Sequence, residues 1–457
     1  MRPRKTSMKN FPQATPSKFK KVIRTTIAIS ALAVLQATSH AATYFVSPTG
    51  NDSDPGTVAK PFASLYRATS KTAPGDIVYL RGGTYKFTAP QTIQGTGNAS
   101  AYLNVLSYPG ETAVLDFLKS TPGKDALQVA GNYVRLSNFT IQNSPKSNIS
   151  VWGSSYVSIR NVRSTGANGA GILVGSSSLV GSYGGKASTE GNHDIEISGN
   201  EVWNCALANQ SLTSSNWQPA IQTFQSSNVQ ILNNNVHQNY GEGIGVCTTF
   251  NSQIKGNTSW DNFSVNIYLD NVDSMLVSSN FAYTTGDKRF FRSNRAASGI
   301  SLAVEGVANP IGLRNSEISN NTISNCFAGI WYSSYGLGGG LKNFTIAKNT
   351  IYKTTGGPLL WIDSDKGHVG NNINGNIFQQ SGSAAMTNIG SLTGLSMGNN
   401  CWFGGNVTTG KQATDLLANP LLLRPGSYTL SDYGLSAQSP CIPKGMGAGS
   451  SSSQVNI

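Results

Sequence analysis

A short phrase recurs along most of this chain: an asparagine, one variable residue, and then an apolar residue. Successive phrases begin 23, 39, 34, 23, 23, 41, 28, 27 and 24 residues apart. The short spacings cluster near one value, and the longer ones fit that value plus an inserted loop. Such a period is typical of stacked coils, with one supersecondary unit per repeat. The phrases begin at Asn138, Asn161, Asn200, Asn234, Asn257, Asn280, Asn321, Asn349, Asn376 and Asn400.

The composition supports many short strands joined by tight turns. The 457 residues include 50 glycines, and only 12% of them are charged. Glycine and asparagine tolerate the positive φ angles that tight turns require. We expect the repeated asparagines to point inward and to stack on their neighbours above and below, where their amides bond to the backbone at the bend. The repeats run from about residue 128 to 403, which favours one domain over two.

The first 42 residues are predicted to be an export signal. They contain eight basic and no acidic side chains, followed by an apolar run over 26–35 and the small-x-small site Ser39-His40-Ala41. The apolar run is too short to span a bilayer, and translation starting at Met8 remains an alternative. We therefore expect a soluble protein that is secreted or periplasmic.

The net charge of +12 gives a misleading picture of the mature protein. Residues 43–457 carry 25 basic and 21 acidic side chains, a net charge of +4. A net charge of this size is compatible with an acidic polysaccharide as ligand. The sequence lacks the basic stripe that is typical of a nucleic-acid-binding protein. The predicted domains are a cap with the first coils (43–127), the coil domain (128–445) and a disordered Gly/Ser-rich tail (446–457). Inserted loops are expected over 174–191, 205–218, 284–298 and 304–314.

Two N-terminal segments and the C-terminal region resemble a known family. Tyr44-Phe-Val-Ser-Pro-Thr-Gly50 and Pro74-Gly-Asp-Ile-Val-Tyr-Leu-Arg-Gly-Gly-Thr-Tyr85 are similar to the opening of the family-nine polysaccharide lyases, as is Ala418-Asn-Pro-Leu-Leu-Leu423 to their tail. The resemblance implies an all-β, single-stranded right-handed parallel β-helix (a solenoid) with an N-terminal cap and inserted loops. It also implies a polysaccharide substrate. We further expect a monomer that does not insert into membranes, because no other segment is apolar and long enough to span one. Such motifs specify fold better than activity.

Two outward columns follow from strand alternation. Three residues after each asparagine, an aromatic column is predicted that offers its ring faces to sugars, unless inserted loops pack on it. On the following strand a second column is predicted, with Glu242, Asp261 and Asp270 beside it. The first column comprises Trp203, His237, Trp260, Tyr283, Ser324 and Tyr352; the second comprises Gln222, Gly245, Tyr268, Ser301, Trp331 and Leu360.

The loop over 286–295 is rich in basic residues and adjoins the second column by coil count. Its side chains are candidates for holding a sugar carboxylate or sulfate, and the alternative is a basic surface loop. They are Lys288, Arg289, Arg292 and Arg295.

The family resemblance also implies a calcium site and a lysine base, but this sequence lacks both. Ser264, Val265 and Tyr268 stand at the acidic cluster, Ser301 stands at the lysine position, and only Glu242 retains a carboxylate. Calcium requires six or more oxygen ligands, usually including several carboxylates. We therefore predict no metal and no other cofactor.

Three functions remain open from the sequence. A lyase acting without calcium needs a group to neutralise the uronate, for which Arg289 or Arg292 is a candidate, and a base and an acid, for which Tyr268 and His237 are candidates. A tyrosine base needs a lowered pKa, which nearby cations would supply. A glycoside hydrolase would use Glu242 and Asp270 as its carboxyl pair. A non-catalytic carbohydrate-binding protein would need only the aromatic column.

Of these functions we favour the lyase, with five catalytic candidates and eight for substrate binding. Cys401 and Cys441 are a possible disulfide, the alternative being buried thiols. The catalytic candidates are Tyr268, Glu242, His237, Asp270 and Arg289; the substrate-binding candidates are Trp203, Trp260, Tyr283, Gln222, Ser301, Trp331, Lys288 and Arg292.

Overall fold

The structure is a computed structural model that describes residues 41–176, 192–212, 217–307 and 310–449. The predicted export signal lies almost wholly outside these residues. Within them, two parallel sheets carry nearly all of the regular structure. No helix in these ranges has the length and apolar character needed to cross a membrane.

The smaller sheet, called here the second sheet, contains twelve strands in the described ranges, one from each coil. Eight of them are only three residues long, because each ends where the chain bends into the next part of the coil. The strands are Gly83–Lys86, Ala113–Asp116, Thr140–Gln142, Arg163–Thr165, Glu201–Trp203, Asn235–His237, Thr258–Trp260, Phe281–Tyr283, Thr322–Cys326, Thr350–Thr354, Ile377–Gln379 and Cys401–Phe403.

The larger sheet, called here the main sheet, has 23 described strands. Its three longest strands turn a corner within the coil, and its strand–strand pairings are parallel. The strands are Thr43–Val46, Ile77–Leu80, Gln91–Ile93, Leu103–Ser107, Leu127–Val129, Val134–Ser137, Ile149–Trp152, Val157–Arg160, Ile172–Gly175, Asn192–Ser198, Ile221–Leu232, Ile244–Lys255, Val265–Ser278, Ser298–Val304, Leu313–Arg314, Glu317–Ser319, Ile330–Gly336, Leu341–Lys342, Thr345–Ala347, Leu360–Ile362, Asn371–Asn374, Thr387–Ile389 and Leu395–Gly398.

The core is formed by side chains that repeat at the same position in successive coils. Ile244, Ile267, Ile300, Ile330 and Leu360 are register partners on adjacent strands, and each is at most 1% exposed. Strand alternation turns the residues between these inward positions toward the outside. The predicted stacked-coil architecture and the parallel β-helix fold are therefore confirmed.

The repeated asparagines form a buried ladder along the coils. In Asn257, for example, the backbone N–H and the side-chain amide both donate to Asn280 Oδ1, at 2.9 and 3.0 Å, and the amide also donates to the Ile231 carbonyl. The same pattern runs without interruption from Asn200 to Asn400, whose backbone N–H donates to Asp415 Oδ1. The predicted inward stacking is thus present over these coils.

The first two asparagines of the sequence repeat do not belong to the ladder. Asn138 and Asn161 have positive φ angles of 63° and 52°, the conformation of the residue that precedes each ladder asparagine. The ladder position is instead taken by Phe139 and Val162, both buried. Asparagine is favoured at both positions for different reasons, since it also adopts the left-handed conformation readily. The sequence spacing alone could not separate the two roles.

The N-terminal end is covered by the predicted cap. The helix Leu65–Thr69 begins after Ser64, whose hydroxyl accepts from the Arg67 N–H, and Leu65 and Ala68 are buried. Four short 3₁₀ turns complete the regular structure of the described ranges: Leu207–Asn209, Lys288–Phe290, Leu430–Tyr433 and Ile442–Lys444.

At the other end, the chain returns to pack on the last coils. Met446 is buried with Ile377, Cys401 and Cys441, and the Gly447 N–H donates to the Gly375 carbonyl. Residues 446–449, assigned above to a disordered tail, are therefore ordered, and residues 450–457 lie outside the described ranges. All five cysteines are free thiols. Cys401 and Cys441 are in side-chain contact, and a hydrogen bond from one thiol to the other raises the pKa of Cys401.

Candidate active site

The second outward column is formed as the sequence predicts, except at its last position. Gln222, Gly245, Tyr268, Ser301 and Trp331 are register partners on five consecutive coils. The next partner is Trp361, not Leu360. Leu360 was wrongly aligned by one residue: its side chain is fully buried and faces the core.

Another outward column runs beside this one, two residues further along each strand. It contains Phe224, Cys247, Asp270 and Ala303 as register partners. Because the two columns lie on the same face of the main sheet, Tyr268 and Asp270 present their side chains to the same side. Around them the structure brings together the group called here the Tyr268 cluster: Glu242, Tyr268, Asp270, Arg292 and Glu305.

Glu242 is buried and lies close to Gly245. A β-carbon added to Gly245 would lie 3.5 Å from Glu242 Oε2 and 2.3 Å from Pro219 Cγ, so only glycine fits beneath the carboxyl group. The Trp217 indole N–H donates to Glu242 Oε1 at 3.4 Å. Burial raises the pKa of Glu242 to about 8, and the negative charge of Glu305 acts in the same direction. Glu242 is therefore a protonated acid at neutral pH.

Tyr268 is hydrogen-bonded to a residue of the following loop. Its hydroxyl donates to Glu305 Oε1 at 2.7 Å. Burial raises the pKa of Tyr268, and the charges of Glu305, Asp270 and Glu242 raise it further. The expected lowering of this pKa by nearby cations is therefore wrong in direction, because carboxyl groups and not cations surround the phenol. Tyr268 is neutral and has an acceptor for its proton.

Asp270 is fixed by three donors. Its Oδ1 accepts from the Asn271 side-chain amide and from the Glu305 N–H, both at 2.8 Å, and its Oδ2 accepts from the Cys247 thiol at 3.0 Å. Burial raises the pKa of Asp270, whereas these hydrogen bonds oppose the rise. Cys247 is partly exposed and belongs to this site.

The basic loop contributes one cation to the cluster. Arg292 Nη1 donates to Ser264 Oγ at 3.0 Å, and the guanidinium lies 4.4 Å from the centre of the Trp217 ring. Its charge also acts on the pKa of Glu242, lowering it against the effect of burial. Arg289, in contrast, is 68% exposed and forms an ion pair with Asp287 in its own loop. Lys288 lies in the same 3₁₀ turn and is exposed.

The structure also bears on the implied calcium site. At the position of one expected ligand, Ser264 accepts a hydrogen bond from the positively charged Arg292, and Val265 supplies a buried apolar side chain. No group of three or more His, Cys, Asp or Glu suited to a metal ion occurs in the described part of the chain. These residues do not fit calcium, since a guanidinium beside the ligand position repels a divalent cation.

His237 lies away from the cluster, in the aromatic column of the second sheet. Its ring is stacked between Trp203 and Trp260, with ring centroids 6.2 and 4.5 Å away. Its ring nitrogens contact Gln238 and Glu201, and burial lowers its pKa. His237 is therefore part of a stack of aromatic rings. The role of base or acid suggested from the sequence would require it to face the Tyr268 cluster instead.

The aromatic column exists, but its rings face one another. The Trp260 and Tyr283 rings are 5.6 Å apart and nearly parallel, and Tyr428 of the C-terminal segment stacks on the other side of Tyr283 at 5.4 Å. Tyr283 is 7% exposed. Sugar rings therefore have no free face of Tyr283 to stack on, and only Trp203 and Trp260 are half-exposed. The packing alternative is supported, with the C-terminal segment as the main cover.

Three polar atoms of the second outward column, the one that contains Tyr268, lack a hydrogen-bond partner in the described structure. They are Gln222 Oε1, Ser301 Oγ and Trp331 Nε1, and all three are buried. Buried polar groups nearly always have a partner, and three of the eight exceptions among the described residues lie in this one column. The column flanks Tyr268 on both sides.

Two members of the site were not identified from the sequence. Trp217 and Glu305 lie in or beside inserted loops, where the repeat gives no alignment. A signal was nevertheless present for Glu305, because it directly follows the strand Ser298–Val304 in a region with few charged residues. Asp261, placed beside the column from the sequence, is instead fixed by Thr284 and Thr285, whose hydroxyls donate to it.

Residues 44–209 match a family model described as Pel9A-like, right handed beta helix region. The match covers the cap and the first coils, and it ends before all five residues of the Tyr268 cluster. It therefore supports the fold and leaves the chemistry to be argued from the cluster itself.

Two curated proteins are similar over parts of the chain. Pectate lyase PEL9 of Emericella nidulans is 40% identical over 76 residues, which are 17% of this chain and 18% of that protein. Pectate lyase L of Paenibacillus polymyxa is 29% identical over 147 residues, or 31% of this chain and 32% of that protein. The matched segments thus span less than a third of either relative.

A solved structure, the complex of XylC with xylose, resembles the fold over 83% of this chain and 86% of that chain. Its TM-score is 0.58 and its sequence identity is 13%, so the likeness concerns the fold alone. Together with the family match and the two curated relatives, it confirms that this chain forms a pectate-lyase-like right-handed parallel β-helix.

Proposed function

We propose that this protein cleaves a polysaccharide by β-elimination at the Tyr268 cluster. Support comes from the similarity to two pectate lyases and from a site that contains a protonated acid, a hydrogen-bonded tyrosine and one cation. The observation that carries the proposal is Glu242. A buried carboxyl group with a pKa of about 8, beside a column of unpartnered polar atoms, is positioned as a proton donor.

Each step of an elimination has a candidate group in the cluster. Arg292 neutralises the uronate carboxylate, which makes the C5 proton more acidic. Tyr268 accepts that proton while its own hydroxyl proton moves to Glu305. The C4–O bond then breaks as the C4=C5 double bond forms, and the leaving oxygen takes the proton of Glu242. Glu242 ends ionised and Glu305 protonated, and exchange with water restores both groups.

Hydrolysis is the second candidate, and the number of carboxyl groups favours it. The charges of Glu242, Asp270 and Glu305 all act on Tyr268, whereas Arg292 is the one cation among the five residues of the cluster. A hydrolase would use protonated Glu242 as the acid and Asp270 as base or nucleophile, because the two environments differ. Both reactions use Glu242 as the acid. They differ in whether the substrate has a uronate carboxylate that Arg292 binds.

One assay separates these reactions. The protein is incubated with uronate-containing and neutral polysaccharides, with and without a chelator, and both new reducing ends and ultraviolet absorbance of an unsaturated product are measured. Absorbance with new ends indicates elimination, and new ends alone indicate hydrolysis. Glu242→Gln should abolish either signal, and Glu317→Gln, an exposed strand residue, is the matched control. No new ends with any polysaccharide would refute the enzyme proposal.

We also propose that the protein works outside the cytoplasm as a monomer, without a bound cofactor. The proposal of export rests on the basic and apolar pattern of residues 1–42. Cell fractionation with and without this segment tests it: retention of the full chain in the cytoplasm would contradict export. Activity that is lost with chelator and restored by calcium would contradict the absence of a metal.

A further inference from the structure

Two pairs of aromatic side chains lie on the outer face of the main sheet, on opposite sides of the Tyr268 cluster. The first platform consists of Trp152 and Phe224, with ring centroids 5.2 Å apart. The second platform consists of Trp331 and Trp361, stacked at 4.6 Å. Trp152 is 49% exposed, although a large apolar ring on a strand is usually covered.

The two platforms lie at similar distances from the cluster. Trp152 precedes Asp270 by four coil positions along one outward column, and Trp361 follows Tyr268 by three along the other. At roughly 4.8 Å per strand, these steps correspond to about 19 and about 14 Å along the helix axis. The platforms therefore face a single line that passes over the cluster.

The first platform depends on a glycine. A β-carbon on Gly175, the register partner of Trp152, would lie 2.3 Å from the Phe224 ring, so the ring occupies the space that a side chain would fill. The outward neighbours Ser150 and Leu173 are uncharged. Among the described residues, this surface offers ring faces with uncharged outward neighbours, which suits the apolar face of a neutral sugar.

The second platform differs in its surroundings. The Phe327 ring lies 6.4 Å from Trp331, and the Arg295 guanidinium lies 5.0 Å over Phe327. Trp331 Nε1 is one of the buried polar atoms that lack a partner among the described residues. The second platform therefore has a cation over the neighbouring Phe327 ring, which the first platform lacks among the described residues.

We propose that a polysaccharide chain lies parallel to the helix axis across the Tyr268 cluster, with a neutral sugar stacked on the first platform and a second sugar on the second platform. The substrate is then a chain of mixed composition, with a uronate near Arg292 and neutral residues further along, cleaved internally. The placement of the cleaved bond rests on the proposed function, whereas binding to the platforms does not.

Binding measurements test this inference independently of turnover. Affinity electrophoresis is run with mixed chains (gellan, xanthan and hyaluronan) and with all-uronate chains (polygalacturonate and alginate). The variants are Trp152→Ala, Trp361→Ala, the double variant, and Tyr66→Ala as an equally exposed aromatic control on the cap helix. Gly175→Ala is added because it displaces Phe224 without removing an aromatic ring. Thermal unfolding checks that each variant is folded.

We expect wild-type protein to bind at least one mixed chain more tightly than the all-uronate chains. Each single tryptophan variant should weaken that binding about 2- to 10-fold, and the losses should multiply in the double variant because one chain spans both platforms. Variants no weaker than Tyr66→Ala, or a wild-type protein that binds no mixed chain, would overturn the inference. Tryptophan-dependent binding without any cleavage would overturn only the enzyme proposal.

Discussion

The Tyr268 hydroxyl donates a 2.7 Å hydrogen bond to Glu305 Oε1. Tyr268 belongs to the second outward column, and Glu305 is the first residue after the strand Ser298–Val304 of the next coil. The Glu305 backbone N–H donates in turn to Asp270, two residues after Tyr268. The loop that begins at Glu305 is thus attached to the column at two points. Through these bonds the phenol has both a fixed direction and a proton acceptor.

Replacement of Tyr268 by phenylalanine should reduce kcat by roughly 10²–10⁴-fold, the usual contribution of a positioned proton-transfer group. The ring and its packing are retained, so thermal unfolding should change little. Glu305→Gln keeps an acceptor oxygen but removes the carboxylate that receives the proton, and we expect a loss of similar size. Full activity of Tyr268→Phe would remove Tyr268 from the mechanism.

Activity should fall as the pH rises through about 8, because Glu242 must be protonated to serve as the acid. The pH profile of kcat/KM measures this limb directly. Glu242→Gln should be inactive across the profile, whereas the exposed-site control Glu317→Gln should follow the wild type. A wild-type profile that stays flat beyond pH 9 would exclude Glu242 as the acid.

The raised pKa of Glu242 also predicts how stability depends on pH. Between the ordinary value of 4.5 and about 8, the unfolded chain has released the proton and the folded chain retains it. Raising the pH therefore favours unfolding, by about 1.4 kcal/mol per pH unit for one such group, and the decline should level off above about pH 8. Glu242→Gln has no proton to lose, so urea unfolding should show a shallower decline for the variant. Equal slopes for both proteins would contradict the buried, protonated state.

Arg292 and Arg289 offer a matched comparison within one loop. Arg292→Ala should raise KM for uronate-containing substrates and lower kcat, because the cation near Glu242 is lost. Since Arg292 lowers the pKa of Glu242, its removal should also move the basic limb of the pH profile to higher pH. Arg289→Ala removes a solvent-exposed ion pair with Asp287 and should have little effect. The reverse order of effects would assign the substrate cation to Arg289.

Much of the site's framework follows from the sequence because a repeat fixes vertical neighbours. The register from Gln222 to Trp331 is predicted from strand alternation on the strand that follows each repeated phrase, and the strand pairings confirm it. A strand places successive side chains on opposite faces, so one correct position determines the others. The misplacement of Leu360 is the expected failure of this method where a coil begins with an additional residue.

The rest of the site comes from segments that the repeat does not describe. Trp217 and Glu305 belong to connections of irregular length, and Tyr428 returns from far along the chain to cover Tyr283. Contacts of this kind depend on tertiary packing and have no local period. The pKa of Tyr268 was misjudged for the same reason, since the carboxylate of Glu305 was not counted among its neighbours.

The asparagine ladder gives the most direct test of the fold's energetics. Asn280→Ala removes the acceptor for the Asn257 N–H and side-chain amide. It also removes the side-chain amide that donates to Asn321 Oδ1, which keeps only the backbone N–H of residue 280 as a donor. All three asparagines are at most 1% exposed, so the remaining groups cannot turn to water. We expect a loss of about 2–4 kcal/mol in the free energy of unfolding, measured by urea titration. Asn372→Ala, an exposed strand position, should change it by less than about 0.5 kcal/mol. If the two variants were equally stable, the ladder would be a consequence of the coil geometry and would contribute little to its stability.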